Sequence, residues 1–165
     1  MFIQDASRAV QKFLKFLGSA REMASLSKDR STKVGAIALD DDYVIKSHGY
    51  NGFPRGVDDD VEARHERPAK YMYTVHAEMN VVAQAARPVL QGTTLLLTSL
   101  HPCPTCAGLL IQSGVKRIIT PPPGHDLGVH TVGRPVWSED ARVAMEMFKE
   151  AGVEIVYYTP DASLA

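Results

Sequence analysis

Apolar residues at Ala9, Val10, Phe13, Leu14, Leu17, Ala20, Met23 and Ala24 recur at three- and four-residue steps, which predicts an amphipathic helix from about Ser7 to Leu26. Phe16 lies off that stripe. Val34 to Leu39 and Tyr43 to Ser47 are rich in residues that favour strands and are separated by Asp40-Asp41-Asp42, so they read as a hairpin. Gly49-Tyr50-Asn51-Gly52-Phe53-Pro54-Arg55-Gly56 carries too much glycine and proline to continue a strand and reads as a loop. The second half alternates: a helix from about His76 to Ala86, a strand Thr93 to Ser99, a helix Cys103 to Gln112 with Pro102 near its start, and a strand Val115 to Thr120. Pro121-Pro122-Pro123-Gly124 then opens a loop extending to about Val136, long enough to suspect a lid, an interface or mere disorder. Ser138 reads as the cap of a last helix through Glu150, with acidic residues in its first turn and Lys149 in its last, and Val153 to Tyr158 as a fifth strand.

Five strands interrupted by helices describe an α/β protein, a three-layer α/β/α sandwich on a five-stranded mixed sheet with a hairpin at one edge. At 165 residues the chain is read as one domain over 1–165, with a variable loop at about 121–136. Apolar residues make up 45% and charged residues 22%, the balance of a soluble globular protein. No apolar run is long enough to span a bilayer, and Met1 to Arg8 does not read as a secretory leader, so a cytoplasmic protein without a membrane partner is expected. A net charge of −1 speaks against a nucleic acid partner, for which a basic stripe is needed, and in favour of a small substrate. Basic residues gather early, while Asp40 to Asp42 and Asp58 to Asp60 form acidic runs whose simplest reading is solvated loops.

The chemistry gathers in two motifs, His76-Ala77-Glu78 and Pro102-Cys103-Pro104-Thr105-Cys106, which hold the only two cysteines of the chain. His76, Cys103 and Cys106 offer three ligands suited to zinc, and a catalytic zinc site keeps a fourth position open for water. Glu78, two residues past His76, is placed to move protons near the metal without ligating it. Either motif alone says less: His-x-Glu is common, and Cys-x-x-Cys also serves as a redox pair or as half of a structural zinc site. His48, His65, His101, His125 and His130 are not needed as ligands, although His101 adjoins the cysteine motif.

Together the motifs resemble the zinc-dependent cytidine and deoxycytidylate deaminases. The likeness narrows toward the deoxycytidylate branch through Gly49 to Gly56, through Lys70-Tyr71-Met72-Tyr73-Thr74-Val75 leading into His76, through Leu110 to Val115, and through Lys28-Asp29-Arg30-Ser31-Thr32-Lys33-Val34-Gly35. It runs from about residue 7 to 120; the helix and strand from Ser138 to Tyr158 match only in kind, and Pro121 to Val136 departs from the family with more proline and glycine. That departure leaves a changed pocket rim and a 5-substituted dCMP substrate open. The resemblance implies hydrolysis of dCMP to dUMP and ammonia, feeding thymidylate synthesis, with one catalytic Zn²⁺ per subunit, Glu78 as proton shuttle and a homo-oligomer, often a hexamer. It implies further that Asn51 contacts sugar or base and that Tyr73 helps form the nucleotide pocket, although a turn asparagine is the competing reading of Asn51. Ser31, Thr32, Lys33, Arg30 and Arg55 are the candidate phosphate contacts, the Ser31 to Lys33 segment first and Arg55 equally readable as a solvated loop arginine. Regulation by dCTP and dTTP occurs in the family, and Asp58 to Asp60 could take part in a Mg²⁺-nucleotide effector site, though a polar loop is the simpler reading. Trp137 is read as a core or interface anchor. The rival readings are a deaminase of another cytosine nucleotide, a nucleoside, a riboflavin precursor or a tRNA base, and a non-catalytic zinc-stabilised nucleotide sensor.

Overall fold

A computed structural model describes residues 8–123 and 139–159. The five strands are β1 (Gly35–Leu39), β2 (Ile45–Tyr50), β3 (Thr94–Leu97), β4 (Arg117–Thr120) and β5 (Glu154–Tyr157). They form one sheet in the order β2-β1-β3-β4-β5, antiparallel across β2-β1-β3 and parallel across β3-β4-β5. This is the expected mixed sheet with a hairpin at one edge.

Period-two alternation divides the strands' side chains between two cores. Ala36, Ala38, Leu95, Leu97 and Ile118 face the helices α4 (Ala77–Ala83), α6 (Pro104–Gln112) and α7 (Glu139–Glu150), packing with Val81, Leu110 and Phe148. Ile37, Leu39, Leu96, Ile119 and Val156 face the other way, toward Val10, Phe13, Leu17 and Ala20 of α1 (Arg8–Leu14) and α2 (Leu17–Ser25). Helices on both faces make the three layers. Every residue of β1 and β3 is buried, as covering both faces requires.

The structure corrects four local expectations. The first helix is two helices: at Lys15 and Phe16 the backbone tightens to bonds from Lys15 N to Lys12 O and from Phe16 N to Phe13 O. The break turns Phe16, off the original stripe, partly onto the α1/α2 core. The hairpin turn is longer than Asp40 to Asp42, because Tyr43 adopts φ 65° and Asp40 Oδ1 accepts the amides of Asp42 and Val44. Pro104 rather than Pro102 occupies the first turn of α6, with Cys103 as N-cap. Gly49 and Tyr50 continue β2 instead of opening a loop. The pattern also gave no sign of α3 (Ala69–Tyr73), α5 (Arg87–Leu90) or the 3₁₀ turn Glu62–Arg64, all too short to show a period.

The glycine at 49 is a packing device. A Cβ there would stand 2.5 Å from the carbonyl oxygen of Ala77 and 2.7 Å from the amide nitrogen of Val81, so the backbone of α4 lies directly on β2. Gly49→Ala is expected to push α4 off the sheet and to destabilise the protein by about 3 kcal/mol, the upper part of the range for overpacking; urea unfolding measures it, and a loss below about 1 kcal/mol would show that α4 gives way freely.

Among the described residues no helix is long and apolar enough to cross a membrane. The expected cap Ser138, the anchor Trp137 and the loop from Gly124 to Val136 lie outside the described residues.

Candidate functional site

The site is built where α4 and α6 begin. His76 is the N-cap of α4 in extended backbone (φ −72°, ψ 156°), and Cys103 is the N-cap of α6 in the same conformation (φ −76°, ψ 168°). Neither forms a side-chain capping bond, so both side chains are left for other work. Cys106 lies on the first turn of α6, fully buried. His76 Nδ1 is 3.6 Å from Cys103 Sγ and 3.4 Å from Cys106 Sγ. Tetrahedral zinc with Zn–S of about 2.3 Å and Zn–N of about 2.0–2.1 Å sets nitrogen and sulfur about 3.5 Å apart, so the donor set fits that ion. Among the described residues these three form the only group of three or more side chains placed to hold a metal, with ligand atoms within 4.8 Å of one another.

Electrostatics agree with a cation site. The Cys106 thiol, hydrogen-bonded to Cys103, draws the Cys103 thiol down to about 4, and His76 adds to the effect. The same bond and burial push Cys106 far up, so without a cation the pair ionises one sulfur only. His76 is raised, first by its bond to Cys103. A dication held between them removes this conflict, since metal ligation requires both thiolates and a neutral imidazole.

Glu78 lies on the first turn of α4 and is 6% exposed. Burial raises its carboxyl above the usual range, against the opposing pull of His76 and of a hydrogen bond with Cys106. A carboxyl raised in this way holds a proton more firmly than a solvated one, which suits a group that must both accept and return it.

A small cleft, open to solvent, is walled by residues that include Ser31, Gly52, Phe53, His65, Lys70 and Thr74, the last of them two positions before His76 along the chain. Phe53 stacks on His65 at 4.9 Å and meets Tyr73 at 5.6 Å, while the Arg64 guanidinium lies 5.0 Å over the Tyr73 ring. Tyr73 therefore stands in an aromatic wall next to the cleft. Asn51 is 5% exposed and largely engaged: Oδ1 accepts the Val34 amide, and Nδ2 donates to Thr32 O and Asp29 Oδ2. The Ser31 and Thr32 amides both donate to Asp29 Oδ1. Lys33 is exposed and reaches Ser25 O, and Arg55 is exposed in the turn after Pro54. Of the candidate phosphate contacts, Arg30 and Ser31 line the cleft. Asp59 pairs with Lys28 at 2.8 Å, and Asp58 accepts the Asp60 amide. His101 turns from the ligands toward Phe148 and Tyr157.

Sequence reasoning gave no role to Asp29 and Lys70, although both stand inside motifs it singled out. Their ion pair is 2.8 Å long and almost buried. Burial pushes the Asp29 carboxyl up, but hydrogen bonds from Lys70, Thr32 and Ser31 outweigh it and hold the group below the usual range. A depressed carboxyl stabilises the fold above its unfolded pKa, and that contribution fades as pH falls through the folded value. The stability difference between wild type and Asp29→Asn is therefore expected at pH 7 and to shrink below about pH 3.8, the unfolded value. Denaturant unfolding at both pH values checks it; a pH-independent difference would exclude the ion pair as its source.

The family described as the cytidine and deoxycytidylate deaminase zinc-binding region matches residues 10–121, which contain every element of this site. The chain belongs to this family. An uncharacterized deaminase of Aliivibrio fischeri is 37% identical over 89% of this chain and 93% of its own length. The deoxycytidylate deaminase of Mus musculus is 34% identical over 90% of this chain and 80% of its own. The crystal structure of the dCMP deaminase of cyanophage S-TIM5, in complex with dCMP and dUMP, covers 90% of this chain and 97% of its own with a TM-score of 0.65 at 23% identity, a likeness of fold. The chain is thus a zinc-binding deaminase by family, and His76, Cys103 and Cys106 form a cluster capable of coordinating the ion.

Proposed function

We propose that this deaminase converts dCMP and water to dUMP and ammonia, and so supplies dUMP for thymidylate synthesis. The observation that carries the reading is the convergence of His76, Cys103 and Cys106 beside the buried carboxyl of Glu78. Zinc, when held by that set, supplies the Lewis acidity that makes water nucleophilic at neutral pH. Glu78 would accept one proton of the water and deliver it to the ring nitrogen next to the reacting carbon; it would then take the second proton, from the hydroxyl added to that carbon, and give it to the departing amine, leaving the carbonyl and ammonia. Its burial keeps bulk water from competing for that proton. The nucleotide specificity is supported by relatives named deoxycytidylate deaminase, such as the mouse protein, and by the cleft that Ser31, Phe53 and Thr74 help to wall. In this reading Tyr73 walls the nucleotide and Ser31 is the leading phosphate contact, with Thr32, Lys33 and Arg55 behind it. Asn51, with both amide hydrogens engaged, offers the sugar or base only its remaining acceptor capacity. The reading extends to a cytoplasmic homo-oligomer, a hexamer being the assembly to test, with dCTP and dTTP as effectors.

The test is ammonia release and uracil-nucleotide formation by zinc-loaded protein across dCMP, CMP, deoxycytidine, dCTP and 5-methyl-dCMP. Preference for dCMP is expected. Preference for any other member of the panel would replace the substrate, and no turnover by protein that holds zinc would favour a nucleotide sensor.

A further inference from the structure

His76 is exposed, so packing does little to orient it, and its position depends on the backbone that precedes it. Two tethers fix that backbone. The Thr74 amide and hydroxyl both donate to Lys70 O, at 3.0 and 2.9 Å. Val75 exchanges two backbone bonds with Gly52, at 2.8 and 3.1 Å, in an isolated antiparallel bridge. Thr74 and Val75 are thus held to separate anchors, Lys70 and the Asn51-Gly52 pair, immediately before the ligand.

Both anchors meet at a single carboxylate. Asp29 Oδ1 takes the Lys70 ammonium at 2.8 Å, and Asp29 Oδ2 takes the Asn51 amide at 3.3 Å. The carboxylate is seated in turn by the Ser31 and Thr32 amides, at 2.8 and 2.9 Å, and lies 5% exposed. The geometry points to Asp29, acting through Lys70 and Asn51, as the positioning residue that sets where His76 presents Nδ1 to Cys103 and Cys106. Asp29 does not touch the reacting atoms. It closes a ring of contacts from the loop before β1, through the end of β2 and through α3, back to the start of α4. Partners outside a ligand set commonly change metal affinity by about 10–100-fold when lost, because they hold the ligands in register. The inference rests on the zinc reading of the site.

The test uses full-length, zinc-loaded protein with Asp29→Asn, Lys70→Met and, as a control, Val10→Ala, a core truncation on the opposite face of the sheet. Zinc release to a colorimetric chelator is timed, and the visible spectrum is recorded after replacement by Co²⁺, whose thiolate and imidazole bands report ligand geometry. Asp29→Asn and Lys70→Met are expected to release zinc about tenfold faster than wild type, and to shift the Co²⁺ bands, while Val10→Ala does neither whatever it costs in melting temperature. Either variant suffices if the other fails to fold. Release rates and spectra equal to those of Val10→Ala would overturn the inference alone. Wild-type protein that holds no zinc would overturn the functional reading and this inference with it.

Discussion

Glu78→Gln is expected to lower turnover by roughly 10²–10⁴-fold, the range for removal of a general acid and base, while zinc content stays at the wild-type level. The amide fills the same volume and keeps hydrogen-bonding capacity, but it neither accepts nor returns a proton. Zinc stays because, among the described residues, the donor atoms that converge belong to His76, Cys103 and Cys106. Stability is expected to move in the opposite direction from activity. A carboxylate with 6% exposure costs more to bury than a neutral amide, so the variant should melt at or above the wild-type temperature. Steady-state kinetics, zinc analysis and thermal melting read the three properties separately. Wild-type turnover in a zinc-loaded variant would remove Glu78 from the chemistry.

Cys106→Ser should remove the site rather than slow it. The sulfur is fully buried and 3.4 Å from His76 Nδ1, and a serine hydroxyl is a shorter, harder donor that does not ionise in this range. Zinc affinity is expected to fall by more than the roughly 100-fold that loss of an outer partner reaches, with activity below detection. The buried hydroxyl also loses the company of a cation, so the start of α6 should loosen; amide exchange over α6 measures this against α2, which is distant from the change. Stoichiometric zinc in the purified variant would show that two ligands suffice.

Much of this architecture is legible in the chain because both layers of helix and the strands between them leave periodic traces. Ala36 to Leu39 alternate between two cores, and the α7 and β5 segments carry their own punctuation. The zinc donors were legible for a different reason: histidine and cysteine at these spacings have few other uses in combination. What escaped is what depends on contact between distant segments. Gly49 reads locally as a breaker, yet it is required in β2 because the backbone of α4 presses on it. Asp29 and Lys70, 41 residues apart, carry no mark of their pairing, and Asn51 gave no sign that its amide would be spent on Asp29 and Thr32. Nothing local says that Asp29 takes the amides of Ser31 and Thr32 either.

The two uncapped helix starts set stability against chemistry at the same positions. Serine, threonine, aspartate or asparagine at an N-cap is worth about 0.5–2 kcal/mol over a residue that cannot cap, and α4 and α6 have given this up at His76 and Cys103. Selection for a sturdier fold alone would therefore drive both sites toward better caps and erase the enzyme in doing so. Stabilisation screens on this protein should return Cys103→Ser or His76→Asn as gains for the metal-free chain, and each would be a dead end for catalysis.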